Sequence, residues 1–189
     1  MTEQELLVDC ITRLNRSGIA YLVTGSMASN FWGIPRSTHD LDFAIQLPAA
    51  AMPKILAAFA EDFHLDEQAV RAAYRPPYQF NAIHRLSSLK VDFWLPVNTP
   101  FEREMFQRRK QHNVFGVSAW IATPEDIILH KLYWDKLSPS ERQRGDVAGV
   151  FAVQKETLDR QYLRRWAAEL GVSPALDLML EGKLKPKTT

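Results

Sequence analysis

The apolar residues of this chain follow helical spacing in some segments and strand spacing in others. Residues 3–17 predict a first helix with one buried stripe, because their apolar side chains recur at intervals of three and four: Leu6, Leu7, Cys10, Ile11 and Leu14. Residues 20–24 form a short apolar run that stops at Gly25-Ser26 and predicts a strand. Glycine permits a tight turn and Ser26 is a good N-cap residue, so we expect a short helix over residues 27–31.

Residues 40–47 separate two rows of side chains. In a strand, alternate side chains share a face, so Leu41, Phe43, Ile45 and Leu47 line one face, and the other carries Asp40, Asp42, Ala44 and Gln46. On a helix the two carboxylates would point apart and the separation would be lost. The pattern therefore predicts a second strand with two carboxylates side by side.

The rest of the chain continues with mixed elements and then with helices. Up to residue 121 we expect helices over residues 48–63, 66–73 and 99–110, strands over 78–84 and 89–95, and a last hairpin or single edge strand over 114–121. Beyond it, helices are expected over residues 124–137, 138–153, 159–170 and 174–181. The predicted organisation is an α/β core over residues 1–121, a helical region over 122–182 and a mobile tail over 183–189.

A third carboxylate, Asp92, lies between apolar residues in the strand predicted over residues 89–95. An unpaired buried carboxylate is costly, so a functional role for Asp92 is favoured. Trp94 shares the face of Asp92 and could stack on a base.

The closely spaced carboxylates and the turn before the short helix together indicate nucleotide chemistry. Neighbouring carboxylates raise each other's pKa unless a cation neutralises them, and Mg²⁺ takes one or two carboxylates together with substrate phosphates. The turn at Gly25-Ser26 opens a helix whose unpaired N–H groups could bind phosphate.

The order of these motifs resembles the signature of the DNA polymerase β-like nucleotidyltransferase superfamily. The resemblance rests on Gly25-Ser26 at a strand end, a short helix, Asp40-Leu41-Asp42 on the next strand and Val91-Asp92-Phe93 on a later one. Arg36-Ser37-Thr38 before the aspartates resembles the minimal, abortive-infection toxin-like (AbiEii-like) branch. The resemblance implies an α+β fold, in which a mixed sheet flanked by helices is followed by a small C-terminal helical region.

This resemblance also implies a reaction, the metal-dependent transfer of a nucleoside monophosphate from a nucleoside triphosphate to an acceptor hydroxyl. Asp40 and Asp42 would hold a Mg²⁺ ion that binds the triphosphate, and Gly25 and Ser26 would cradle its phosphates. Asp92 would join the two aspartates in holding a second Mg²⁺ about 4 Å away, with Mn²⁺ as an alternative metal.

Further residues resemble later elements of the same branch. Lys131 follows Thr123-Pro124 as in its second conserved region and could contact phosphates, and Asp146 falls in an Arg-x-Asp element. The structural alternative is a salt bridge between Lys131 and Asp146. Arg36 could either reach a phosphate or hold an aspartate in place.

Composition narrows the class of protein and its compartment. The chain has 189 residues, 46% hydrophobic and 24% charged, with a net charge of +1. Such values are ordinary for a soluble globular protein, and a dedicated nucleic-acid-binding domain would be more basic. Cys10 is the single cysteine, and no apolar run approaches the roughly 20 residues of a membrane span. We therefore expect a cytoplasmic protein without a membrane partner.

The acceptor is the variable part of such enzymes, and three interpretations remain open. A toxin–antitoxin enzyme would modify tRNA or protein, whereas an antibiotic-modifying enzyme would act on an aminoglycoside or a lincosamide. A non-catalytic antitoxin or nucleotide-sensing protein could also keep the fold. The complete carboxylate set favours a catalyst.

Overall fold

The computed structural model describes residues 1–186 of the chain, which form two compact units. The sheet unit comprises Met1–Thr24 and His39–Ile121, and the helical unit comprises Gly25–Thr38 and the chain from Ala122 onward. Of the tail predicted over residues 183–189, residues 187–189 lie outside the described residues.

A mixed sheet is the centre of the sheet unit, as the sequence predicted. Its strands within residues 1–186 are β1 (Ala20–Val23), β2 (Leu41–Gln46), β3 (Phe63–His64), β4 (Gln79–His84), β5 (Lys90–Trp94), β6 (Lys110–Val114) and β7 (Val117–Ile121). These seven strands lie in the order β3-β4-β5-β2-β1-β7-β6. The β2–β5 and β1–β7 pairs are parallel, and the others are antiparallel.

The helices are divided between the two units. The sheet unit contains α1 (Glu3–Ser17), α3 (Met52–Phe59), α4 (Glu67–Ala72) and α5 (Pro100–Arg108). The helical unit contains α2 (Gly25–Trp32), α6 (Pro124–Leu137), α7 (Glu141–Gln154), α8 (Arg160–Leu170) and α9 (Ser173–Leu180). Side-chain caps fix several starts: Thr2 before α1, Thr99 before α5, Thr123 before α6 and Asp159 before α8. In residues 1–186, no helix has the length and apolar character needed to cross a membrane.

An aromatic cluster packs the sheet against helix α3. Phe93 of β5 stacks between Phe43 of β2 and Phe80 of β4, with ring centroids 5.8 and 5.2 Å away. Phe59 of α3 meets Phe93 edge-on at 5.3 Å. Phe43, Phe59 and Phe93 have no exposed surface. The apolar row of β2 thus faces the core, as its alternation predicted, and Asp42 lies on the opposite face.

Two predicted segments differ from the structure. The helix predicted over residues 48–63 begins as a 3-10 turn, Ala49–Ala51, and its α-helical part ends at Phe59. Phe63 instead belongs to β3, where it packs 5.0 Å from Phe59 and pairs with His84 of β4. The tertiary contacts of this aromatic side chain outweigh the local helical pattern.

The last hairpin also begins earlier than predicted. Lys110 opens β6 instead of closing a helix, and the turn to β7 is Phe115-Gly116, both with positive φ. The alternation that signals a strand is missing here because the first four residues of β6 are all polar.

Candidate functional site

Two of the predicted carboxylates lie side by side on the sheet. Asp42 of β2 is paired in register with Asp92 of β5. Residues paired in this way point to the same face, and neighbouring strands lie about 4.8 Å apart. On its other side Asp92 is paired with Asn81 of β4. The sheet therefore carries a polar row, Asn81–Asp92–Asp42, on the face opposite the aromatic cluster.

Asp92 is buried, and one of its two oxygens is satisfied. Its Oδ2 accepts a hydrogen bond of 2.6 Å from Nζ of Lys90, which precedes it by two residues on the same strand face. Its Oδ1 is buried and has no hydrogen-bond partner within residues 1–186. A buried acceptor without a partner is costly, so this oxygen is suited to bind a cation or a donor.

Asp42 is held by an aromatic neighbour. Nε1 of Trp94 donates a hydrogen bond of 3.2 Å to Oδ1 of Asp42. Trp94 follows Asp92 by two residues on β5, so it lies on the face that the sequence predicted. This hydrogen bond orients the carboxylate of Asp42 across the two parallel strands.

Asp40 lies one residue before β2 and is exposed. Over the part of the chain that the structure describes, no three His, Cys, Asp or Glu side chains are close enough together to hold a metal ion. The structure therefore brings Asp42 and Asp92 together, and Asp40 does not complete a preformed cluster with them. The pair still fits Mg²⁺, which typically takes one or two carboxylates, and Oδ1 of Asp92 is the oxygen available for it.

A second charged cluster lies in the helical unit. The guanidinium of Arg36 binds Asp146 in a bidentate pair, with Nε and Nη2 at 2.6 and 2.8 Å from its oxygens. Nζ of Lys131 lies 2.8 Å from Oδ2 of the same carboxylate and donates to Gln143 at 3.0 Å. The side chains of Arg36, Lys131 and Asp146 are 12%, 7% and 4% exposed. The cluster thus contains two cations and one anion in a largely buried place.

The two cations control the ionisation of Asp146. Burial acts to raise the pKa of this carboxyl, but the hydrogen bond from Arg36 and the charge and hydrogen bond of Lys131 outweigh burial and hold the pKa below its usual value. The predicted alternative of a salt bridge between Lys131 and Asp146 is therefore present, and Arg36 holds an aspartate.

The turn at Gly25-Ser26 differs from its prediction in one respect. Helix α2 begins at Gly25, whose φ of 59° is the tight-turn conformation that favours glycine. Ser26 lies inside the first turn instead of capping the helix, so its predicted N-cap role is wrong. Its buried hydroxyl oxygen instead accepts a hydrogen bond of 2.8 Å from Nη2 of Arg36. This bond links the start of α2 to the cluster of Arg36, Lys131 and Asp146.

Sequence reasoning missed Lys90 and Asn81. The only local signal for Lys90 is its position two residues before Asp92, and Asn81 alternates with the buried Phe80 and Ala82. The relation of both residues to Asp92 depends on strand pairing, which the sequence pattern does not specify.

Comparison with known proteins identifies the fold. No protein-family model matches the chain, and the search of curated proteins gives no significant match. Solved structures match over most of the chain. The antibiotic-resistance factor ANT(2'')-Ia has a TM-score of 0.60 and 13% identity, covering 92% of this chain and 94% of that one.

Two further solved structures are similar to this chain. An antigenic nucleotidyltransferase-like protein from Paracoccidioides brasiliensis has a TM-score of 0.57 and 16% identity, covering 98% of this chain and 94% of that one. A putative nucleotidyltransferase from Thermotoga maritima has a TM-score of 0.50 and 14% identity, covering 87% and 92%. The chain therefore has the nucleotidyltransferase fold. None of these neighbours supports the abortive-infection branch specifically.

Proposed function

We propose that the protein is a metal-dependent nucleotidyltransferase, which moves a nucleoside monophosphate from a nucleoside triphosphate to an acceptor hydroxyl and releases pyrophosphate and the hydroxyl proton. The observation that carries this proposal is the in-register pair of Asp42 and Asp92, together with a buried oxygen of Asp92 that has no hydrogen-bond partner among residues 1–186. Two carboxylates held side by side repel each other unless a cation lies between them. On a nucleotidyltransferase fold, such a pair is suited to bind divalent metal and the phosphates of a nucleotide.

In the proposed reaction, Asp42 and Asp92 would hold Mg²⁺, with Mn²⁺ as an alternative, and Asp40 would join them as a ligand from the segment before β2. Bound metal would neutralise charge on the triphosphate and activate the acceptor hydroxyl. The hydrogen bond from Trp94 fixes the orientation of the Asp42 carboxylate. We propose that the indole ring, which is partly exposed, stacks on a base of the nucleotide.

From the resemblance we further propose that residues of the helical unit contact phosphate. Backbone N–H groups at Gly25 and Ser26 open α2 and bind phosphate oxygens, a role that suits a helix start. Arg36 and Lys131 provide positive charge, and Asp146 orients both of them through its two oxygens. Positive side chains next to a helix start suit an anionic ligand such as phosphate.

For the acceptor, we propose tRNA or protein in a cytoplasmic toxin–antitoxin system, which follows from the resemblance of Arg36-Ser37-Thr38 to the toxin-like branch. A second candidate is modification of an antibiotic. The similarity of the fold to the antibiotic-resistance factor ANT(2'')-Ia favours it.

Label transfer tests both the reaction and the acceptor. The protein is incubated with Mg²⁺ and each nucleoside triphosphate labelled at its α-phosphorus, together with total cellular RNA, total protein or a panel of aminoglycosides and lincosamides. We expect label in the RNA or protein fraction, and none when Asp92 is replaced by Asn. Label in the antibiotic fraction would select the second candidate, and no label in any fraction would contradict the proposed reaction.

A further inference from the structure

Lys90 and Asp92 form an unequal ion pair on β5. Nζ of Lys90 lies 2.6 Å from Oδ2 of Asp92. The side chain of Lys90 is 46% exposed, whereas that of Asp92 is 9% exposed. The ammonium group can therefore turn away into water, where it is well solvated, but the carboxylate is fixed in the sheet. Lys90 therefore has room to change its rotamer, whereas Asp92 does not.

The charge balance of the strand face explains why a cation lies there. Asp42 and Asp92 are neighbours on adjacent strands, so their negative charges repel each other. Lys90 supplies a positive charge at the buried member of the pair. It occupies only Oδ2, because Oδ1 of Asp92 has no hydrogen-bond partner within residues 1–186. Lys90 thus neutralises the carboxylate of Asp92 through one oxygen and leaves the other oxygen, Oδ1, for a further ligand.

A divalent cation on the same pair would compete with this ammonium group. Both are positive, both seek the oxygens of Asp92, and at contact distance they repel each other. The metal carries twice the charge and can also bind Asp42, whereas Lys90 can give up its bond by rotating its exposed side chain.

We propose that Lys90 is a built-in counter-ion, which holds Asp92 in the metal-free protein and is displaced when a divalent cation binds, so that it lowers the metal affinity of the acidic pair. This inference rests on the proposed function, because it takes Asp92 as a metal ligand. Lys90 is a positioning residue in this account: it stabilises the carboxylates before metal arrives and limits binding to conditions in which metal is abundant.

The test compares charge-removing and charge-keeping variants of Lys90. Lys90→Met keeps the length of the apolar stem and removes the charge, Lys90→Gln does so with a polar end, and Lys90→Arg keeps the charge. Lys54→Met is the matched control, because Lys54 is an exposed lysine on α3 of the same unit. For each protein, the Kd for Mn²⁺ is measured by titration calorimetry without nucleotide, and Tm is measured in a chelator.

We expect Lys90→Met and Lys90→Gln to bind Mn²⁺ about two- to fivefold more tightly than the wild type, the range that a partly exposed ion pair supports. Their Tm in chelator should fall, since Asp42 and Asp92 then lack a counter-ion. Lys90→Arg and Lys54→Met should resemble the wild type in both measurements.

Two results would overturn the inference, and they are distinguishable. If the wild type binds Mn²⁺ and loses it in Asp92→Asn, but neutral Lys90 variants bind Mn²⁺ no more tightly, the counter-ion role is wrong and the metal site stands. If the wild type binds no Mn²⁺, or Asp92→Asn binds it equally well, both the counter-ion role and the proposed metal site fail.

Discussion

The residues at the site show how far local sequence can specify chemistry. The alternation of residues 40–47 correctly predicted that Asp42 lies opposite Phe43, because one strand's faces are fixed by its own sequence. Lys90 and Asn81 were not recognised, since their relation to Asp92 comes from the pairing of separate strands. The bond between Arg36 and Asp146 joins residues 110 positions apart. The sequence therefore left two roles open for Arg36, contact with a phosphate or with an aspartate, and the structure shows the contact with an aspartate.

Replacing Asp42 with Asn separates catalysis from stability. The amide keeps the shape of the side chain and an oxygen that can accept from Trp94, but it removes the charge that binds metal and repels Asp92. We expect transfer activity to be lost, with Tm in chelator unchanged or raised. Activity and thermal unfolding are measured on the same preparation. A clear drop in Tm would show that Asp42 serves the fold.

Replacing Asp146 with Asn should lower the stability of the fold. The substitution removes the carboxylate that both Arg36 and Lys131 bind in a largely buried place. Removing one partner of a buried ion pair costs about 3–5 kcal/mol of the free energy of unfolding. Denaturant unfolding measures the loss. Asp177→Asn is the matched control, because its partner Arg164 and Asp177 itself are mostly exposed, and we expect a change within about 0.5 kcal/mol. Equal stability of the two variants would show that Asp146 contributes no more than a surface pair.

The contribution of Asp146 to stability should depend on pH. Its pKa is lowered in the folded protein, so its contribution to stability is fully present above the unfolded pKa of about 3.9 and is lost as pH falls through the folded value. The stability difference between the wild type and Asp146→Asn should therefore be constant near neutral pH and shrink in acid below about pH 4.

At the scale of elements, the helices were predicted better than the short strands. Helix α6 begins at Pro124 and ends at Leu137 as its cap, acidic first turn and apolar positions indicated. The strand β3 is two residues long, and the polar β6 has no alternation, so neither carries a local signal. Both form because neighbouring strands supply hydrogen-bond partners.

Helix packing in the helical unit depends on one glycine. A Cβ atom on Gly33, just after α2, would lie 2.6 Å from the backbone N of Val150 in α7, too close for any carbon. Gly33→Ala should therefore force the two elements apart and cost about 1–3 kcal/mol. Gly149→Ala is the control, since its Cβ would approach Ile34 no closer than 3.4 Å. Denaturant midpoints of the two variants check this, and an equally stable Gly33→Ala would contradict it.

At the scale of the whole molecule, the fold could be predicted and the acceptor could not. The order of turn, short helix, paired aspartates and later aspartate suggested the nucleotidyltransferase fold, and solved structures with that fold match at 13–16% identity. Those identities are too low to transfer a substrate. An acceptor is recognised by surface side chains that the core pattern does not constrain.

The central claim, that the acidic pair binds nucleotide through metal, is tested most directly by titration calorimetry with each nucleoside triphosphate, with and without Mg²⁺. We predict binding of at least one nucleoside triphosphate by the wild type in Mg²⁺ only, with binding lost in Asp42→Asn and Asp92→Asn. Ser26→Ala should weaken this binding by roughly ten- to a hundredfold, because the hydroxyl can no longer donate a hydrogen bond to a charged phosphate oxygen. No measurable binding to the wild type under either condition, or binding that is independent of Mg²⁺ and of both aspartates, would contradict the account.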